Sequence, residues 1–99
     1  MLSMQKLVEN GVVSVALDGR LDTATAPELE QAIMESLDGA TALTLDFANL
    51  EYISSAGLRV LLAAQKIMGK QGEMKLIHVN EAVMEIFDVT GFSDILTIE

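Results

Sequence analysis

The sequence lacks several residue types on which much protein chemistry depends. It contains no cysteine, which excludes disulfides, thiolate nucleophiles and thiolate metal sites. His78 is the only histidine, so a multi-histidine metal site is excluded as well. The single proline and the apolar fraction of 51% argue against a disordered chain. We therefore expect no metal and no other cofactor, and a function that depends on packing surfaces, hydroxyls and carboxylates.

Basic residues and long apolar runs are also scarce. Six Lys and Arg residues stand against fifteen Asp and Glu residues, which gives a formal net charge of -9. This charge disfavours nucleic acid and anionic membranes, but it suits a partner protein with a basic surface. No apolar run is long enough to cross a bilayer, and the N-terminus does not resemble a signal peptide. The sequence thus predicts a cytoplasmic protein with protein partners.

Two strand-like runs, residues 2–8 and 12–17, open the chain. Asn10-Gly11 lies between them, and this dipeptide favours the type I′ turn of a β-hairpin. The second run is apolar on both faces, which is typical of a strand inside a covered sheet. We expect Gly19 to end this strand.

Helix-like and strand-like segments alternate along the rest of the chain. Thr25 and Glu28 have the spacing of a capping box at the start of a first helix. The elements that follow are a strand at 43–47, a helix at about 55–69, a strand at 74–79, a helix between the possible cap Asn80 and Gly91, and a short strand at 95–98.

The predicted order of elements is β-β-α-β-α-β-α-β. Helices between successive strands imply parallel pairing through right-handed crossovers, and the hairpin adds an antiparallel strand. We therefore predict one α/β domain over residues 1–99, with a mixed, mostly parallel sheet of four to five strands flanked by helices.

The segment Ser54-Ser55-Ala56-Gly57-Leu58 lies between a strand-like run and a helix-like run. A hydroxyl at such a junction is close to unpaired backbone N–H groups and to the positive end of the helix dipole. Two interpretations follow. Ser54 or Ser55 is an ordinary N-cap, or one of them accepts a phosphate that the helix start would stabilise.

Two groups of residues are expected near this junction. Leu58 and Leu62 either form a small exposed apolar patch that docks a protein, or they pack under the third helix. Asp22 and Thr23 lie in the loop after the second strand, which should emerge at the same edge of a parallel sheet as Ser55.

An enzymatic role for the serine has little support. A serine hydrolase elbow has glycines two residues before and after the nucleophile, but Ile53 precedes Ser55 at that distance. The only candidate base is His78, which lies in a predicted strand beside apolar residues.

Three segments, in this order and spacing, resemble those of STAS domains, and the chain is similar to bacterial anti-sigma factor antagonists. The segments are Gly19-Arg20-Leu21-Asp22, the run from Leu45-Asp46-Phe47 through Tyr52-Ile53-Ser54-Ser55-Ala56-Gly57-Leu58, and Phe87-Asp88-Val89-Thr90-Gly91-Phe92. The resemblance covers nearly the whole length of the chain.

The resemblance implies a binding protein that is switched by phosphorylation and is not itself an enzyme. The unphosphorylated form would bind an anti-sigma factor that is also a serine kinase, and a sigma factor would be released. Phosphorylation at Ser55 would end this binding, and a phosphatase would restore it. The implied docking surface comprises Asp22, Thr23, Ser54, Gly57, Leu58 and Leu62.

The sequence departs from the family pattern on both sides of the acceptor. Members often have Asp before it and Ser or Thr after it, where this chain has Ser54 and Ala56. Ser54 is therefore a second candidate acceptor. Related STAS domains also serve transporters and signalling complexes, so a scaffold or accessory subunit without phospho-switching is the alternative function.

Overall fold

The structure, a computed structural model, describes residues 2–99 and has the predicted α/β architecture. No helix within these residues is both long and apolar enough to cross a membrane. The elements in chain order are β1 (Leu2–Glu9), β2 (Val12–Leu21), α1 (Ala26–Met34), β3 (Ala42–Ile53), α2 (Ser55–Gln71), β4 (Glu73–Ile77), α3 (Glu81–Thr90) and a 3-10 turn (Phe92–Asp94).

β1 and β2 form the predicted antiparallel hairpin, in which Glu9 pairs with Val12. The backbone φ angles of Asn10 and Gly11 are 51° and 82°. Positive φ at both central residues defines a type I′ turn, whose twist matches that of the flanking strands. The turn prediction is therefore confirmed.

The sheet has the order β1-β2-β3-β4, and β2, β3 and β4 are parallel. β4 pairs with β3 only as far as Asp46, whereas β2 and β3 remain paired up to Leu21 and Ile53. The ends of β2 and β3 thus form a ribbon that extends beyond the pairing with β4, and β1 pairs with β2 as far as Gly19.

The prediction that Gly19 ends the second strand is wrong. Gly19 has a φ of 114°, and the register between β2 and β3 shifts between Gly19 and Arg20. A glycine with positive φ accommodates such an irregularity, so β2 continues through it to Leu21 instead of stopping.

The core lies on one face of the sheet. Alternate residues of the three parallel strands are fully buried there: Val13, Val15, Leu17, Leu43, Leu45, Phe47, Met74 and Leu76. Phe47 contacts Phe87 of α3, with 6.2 Å between the ring centroids. On the other face Ser14 and Ala16 are only half-buried and Val12 is exposed, so the expectation that both faces of this strand are covered is wrong.

The predicted strand at 95–98 is reduced to a single bridge between Leu76 and Ile98. The N–H groups of Ile95 and Leu96 instead donate to the carbonyl of Phe92, which continues the 3-10 turn. The turn therefore uses residues that would have extended a fifth strand, and only the last three residues reach β4. The observed order is β-β-α-β-α-β-α.

Candidate functional site

The candidate site lies at the end of the ribbon formed by β2 and β3. Leu21 and Ile53 are the last paired residues of β2 and β3, and the Ser54 N–H donates to the Leu21 carbonyl at 2.9 Å. This bond extends the ladder by one step. As predicted, the loop that begins at Asp22 and the start of α2 therefore lie at the same edge of the sheet.

Ser55 is the first residue of α2, and it is exposed. Ser54 occupies the N-cap position with extended backbone (φ -100°, ψ 176°), but its hydroxyl makes no capping hydrogen bond. The Ser54 Oγ is buried and has no hydrogen-bond partner among residues 2–99. A cap residue is therefore present without a cap bond, and no side chain in this part of the chain bonds the first N–H groups of α2.

Asp22 shapes the loop beside this helix start. Its Oδ1 accepts hydrogen bonds from the N–H groups of Ala24 and Thr25, both at 3.1 Å. The Thr25 N–H above all, followed by the Thr25 hydroxyl and the Ala24 N–H, holds the pKa of the Asp22 carboxyl below its usual 3.8. The carboxylate is thus ionised at neutral pH and fixes a turn that leaves Thr23 exposed.

The capping box predicted for Thr25 and Glu28 is wrong. Thr25 is the N-cap residue of α1, but its hydroxyl accepts from the Asp22 N–H at 2.8 Å and donates to the Arg20 carbonyl at 2.8 Å. The hydroxyl therefore closes the loop instead of capping the helix. It is buried there and also lies 3.1 Å from the Asp22 Oδ1, and these contacts hold the loop against the end of β2.

Gly57 lies in the first turn of α2 and is buried. A Cβ added to it would lie 2.8 Å from Ile53 Cγ1 and 2.8 Å from Leu21 Cγ, well inside contact distance. The absence of a side chain thus lets the helix start pack directly on the ends of β2 and β3. Gly57 sets the position of Ser55 and has no side chain to offer a partner.

Leu58 and Leu62 differ in exposure. Leu58 is 7% exposed and belongs to the core, so its interpretation as part of an exposed apolar patch is wrong. Leu62 is half-buried and retains some accessible surface one turn further along α2. Of the implied docking residues, the structure brings Asp22, Thr23, Ser54 and Leu62 to the surface at least in part.

A serine–histidine pair is absent from the site. The His78 Nδ1 lies 2.9 Å from the Asp46 Oδ1, and Asp46 precedes the end of β3 by seven residues. At about 3.3 Å per residue, this places Ser55 and His78 on the order of 20 Å apart. Residues 2–99 also contain no group of three or more His, Asp and Glu side chains that could hold a metal ion.

The sequence interpretation missed one residue near the site. Arg59 is exposed on α2, and it lines a cleft of about 220 Å³ together with Thr23, Glu30 and Ala56. Its spacing of four residues from Ser55 was the available signal, because residues four apart are neighbours on a helix surface.

Comparisons with known proteins agree with this architecture. The family described as STAS domain matches residues 3–99. BtrV of Bordetella bronchiseptica, named as a candidate anti-sigma factor antagonist, is 37% identical over 98% of this chain and 84% of its own. The anti-sigma-B factor antagonist of Bacillus subtilis is 30% identical over 87% of this chain and 80% of its own.

A solved structure supports the same assignment. The crystal structure of an anti-sigma factor antagonist from Mycobacterium paratuberculosis has a TM-score of 0.89 and 28% identity, covering 99% of this chain and 85% of that one. These similarities place the chain among regulatory binding proteins rather than enzymes. The chain belongs to the STAS domain family, within the group of anti-sigma factor antagonists that its sequence resembled.

Proposed function

We propose that this chain is a cytoplasmic anti-sigma factor antagonist whose binding is switched off by phosphorylation of Ser55. In its unphosphorylated form it binds an anti-sigma factor that is also a serine kinase, and a sigma factor is released. A phosphatase that acts on phosphoserine returns the chain to the binding form.

One observation carries this proposal: Ser55 is exposed at a helix start whose N–H groups have no side-chain partner among residues 2–99. A phosphate added there is close to the positive end of α2 and to N–H donors. The modification therefore does not require the helix to unfold, so the phosphorylated chain keeps its fold.

The modification itself is an ordinary phosphoryl transfer. The Ser55 Oγ attacks the γ-phosphorus of ATP, the bond between that phosphorus and the β,γ-bridging oxygen breaks, and ADP leaves. The hydroxyl proton passes to a base of the kinase or to water. The kinase supplies the ATP site and the catalytic groups, and this chain supplies only the nucleophile in an accessible position.

Phosphorylation ends binding because it changes the charge of the docking surface. The phosphate adds about -1.5 to -2 charges at neutral pH. In a close interface this group would clash with the partner and lose its hydration. A penalty of roughly 4 kcal/mol would weaken binding about a thousandfold, which is sufficient to exchange partners.

The proposed docking surface surrounds Ser55. Asp22, Thr23, Ser54 and Leu62 contribute accessible atoms, and the Asp22 turn keeps Thr23 exposed beside the helix start. Gly57 and Leu58 act from beneath the surface, because both are buried. We assign them the role of fixing the height and direction of the first turn of α2.

The proposal is tested with purified anti-sigma factor kinases from the source organism, each incubated with this chain and ATP. Mass spectrometry should place one phosphate on Ser55, and Ser55→Ala should remain unmodified. Ser54→Ala is the matched control and should be modified at the rate of the unchanged chain. Labelling that persists in Ser55→Ala and disappears in Ser54→Ala would move the acceptor to Ser54.

Binding provides the second half of the test. By calorimetry, Ser55→Ala should bind the unmodified kinase as the unchanged chain does, and Ser55→Asp should bind at least tenfold more weakly. A stable complex that is insensitive to Ser55→Asp and to phosphorylation would instead support a constitutive scaffold or accessory subunit, and would overturn the switch.

A further inference from the structure

Arg59 lies one helical turn after Ser55 on the exposed side of α2. Side chains four residues apart on a helix are neighbours, with about 5–6 Å between their Cβ atoms. Arg59 is also the only Lys or Arg in the first two turns of this helix, since Lys66 and Lys70 follow further along.

Arg59 is uncommitted, unlike three other cations of this strongly acidic chain. Lys6 pairs with Glu35, Lys75 pairs with Glu99, and the Arg20 guanidinium lies over the Tyr52 ring at 4.5 Å from its centroid. Among residues 2–99, Arg59 takes part in no ion pair and no side-chain hydrogen bond. Its guanidinium is therefore free to respond to a new anion nearby.

The surroundings of Arg59 leave room for such an anion. The cleft of about 220 Å³ beside the first turn of α2 is lined by Arg59, by the exposed Thr23 and by Glu30. Glu30 is the one carboxylate in this lining, and it is not within ion-pair distance of Arg59. It would compete with a phosphate for the guanidinium and would also repel the phosphate.

We propose that Arg59 binds the phosphate of phosphorylated Ser55, so that the chain itself neutralises part of the added charge. This inference rests on the proposed phosphorylation of Ser55. An arginine fits the role because its planar guanidinium can donate two parallel hydrogen bonds to phosphate oxygens. The pairing holds the phosphate against α2, and it removes Arg59 from the surface that the unphosphorylated chain presents.

The test uses phosphoserine installed at position 55 during translation, followed by a ³¹P NMR titration of the folded protein. A neighbouring cation favours the dianionic phosphate and lowers its second pKa. Arg59→Gln should therefore raise this pKa by about 0.3, as expected for a helix pair of this spacing. Arg59→Lys should keep most of the effect, and Glu30→Gln should lower the pKa because it removes a like charge.

Lys66→Gln provides the matched control, because Lys66 is also exposed but lies about three turns from Ser55. It should leave the phosphate pKa unchanged. If Arg59→Gln shifts the pKa no more than Lys66→Gln does, the pairing does not form and the inference is overturned.

This experiment separates the pairing from the proposed function. Because phosphoserine is installed without a kinase, the titration reports on Arg59 whether or not any kinase modifies the chain. A normal Arg59 effect in a chain that no kinase phosphorylates would support the pairing and overturn the switch. If a kinase phosphorylates the chain efficiently but Arg59→Gln has no effect on the phosphate pKa, the pairing is overturned and the phosphorylation is supported.

Discussion

The starts of α2 and α3 have similar backbone conformations but differ in the hydrogen bonds that their N-cap side chains make. Both N-cap residues are extended, with φ and ψ of -100° and 176° for Ser54 and -77° and 169° for Asn80. Asn80 accepts from the Val83 N–H at 2.8 Å and also donates to the Leu50 carbonyl at 2.8 Å. Among residues 2–99, the Ser54 side chain makes neither kind of bond.

The first turns of the two helices also differ in charge. Glu81 lies in the first turn of α3 and offsets the positive end of its dipole, whereas the first turn of α2 contains no acidic residue. The start of α3 is therefore closed by its own side chains, and that of α2 is left open. An added anion should be stabilised most at a helix start where no side chain already bonds the N–H groups or offsets the dipole.

The largest expected effect on stability comes from a substitution that displaces the first turn of α2. Gly57→Ala places a methyl group within 2.8 Å of the Leu21 and Ile53 side chains, and overpacking of this kind costs about 1–3 kcal/mol. The free energy of unfolding in urea should fall by that amount, and phosphorylation of Ser55 should slow as the first turn shifts.

Gly69→Ala is the control in the same helix, because an added Cβ there meets nothing within 4 Å. It should raise the free energy of unfolding by up to about 1 kcal/mol, since alanine is a better helix former than glycine. Equal effects of the two substitutions would mean that tight packing at Gly57 does not matter.

The second prediction compares the two caps directly. Asn80→Ala removes a capping bond and a bond to Leu50, so the free energy of unfolding should fall by about 1–2 kcal/mol. Ser54→Ala removes a buried hydroxyl without a hydrogen-bond partner, so it should cost nothing or stabilise slightly. If Ser54→Ala lowers the free energy of unfolding as much as Asn80→Ala does, the Ser54 side chain caps α2 and the comparison is wrong.

The third prediction concerns the charge at the open start. Ser55→Asp should be more stable to urea than Ser55→Lys by about 0.5–1 kcal/mol, because the helix dipole favours an anion at this end. The difference should shrink when both variants are measured in 1 M salt, where exposed charges are screened. A salt-independent difference would point to side-chain packing as its cause.

The smallest effect is expected in acid. Hydrogen bonds from Thr25 and Ala24 lower the pKa of Asp22 in the folded chain, so the ionised carboxylate stabilises the fold above its unfolded pKa. This stability is lost as the pH falls below about 4, through the lowered folded value. Asp22→Asn should therefore flatten the loss of stability between pH 5 and pH 2 in urea unfolding.

Asp18→Asn is the control for that titration, because Asp18 is exposed and has no side-chain hydrogen bond among residues 2–99. The loss of stability in acid should be flatter for Asp22→Asn than for Asp18→Asn. The pKa of Asp46 is lowered too, by the Ala48 N–H and then by His78, so part of the acid sensitivity should survive in Asp22→Asn. Complete survival would contradict the assigned role of the Asp22 turn.

Sequence patterns predicted those features that depend on local order. The turn at Asn10-Gly11, the start of α2 at Ser55 and the edge that joins Asp22 to Ser54 follow from backbone preferences and from parallel pairing. Features that depend on which atoms meet in space were not predicted. The sequence could not show that Leu58 points into the core, or that Thr25 bonds backwards to Arg20.

Competition for the same hydrogen-bonding groups explains two of the errors. A capping box and a loop closure use the same Thr25 hydroxyl, and the loop closure prevails because Asp22 and Arg20 are both within reach. Similarly, Ile95 and Leu96 have a strand-like composition, but the turn at Phe92 bonds their N–H groups first. Residue types alone do not rank such alternatives.

The ribbon formed by β2 and β3 has a consequence for mutational studies of this protein. Its ladder of main-chain bonds continues past β4, and the Ser54 N–H adds a final bond to the Leu21 carbonyl. Substitutions of core residues far from the ribbon should therefore change the stability of the protein while leaving the position of Ser55 unchanged. The cellular level of the protein and its signalling activity can then be altered independently, by substitutions in different parts of the chain.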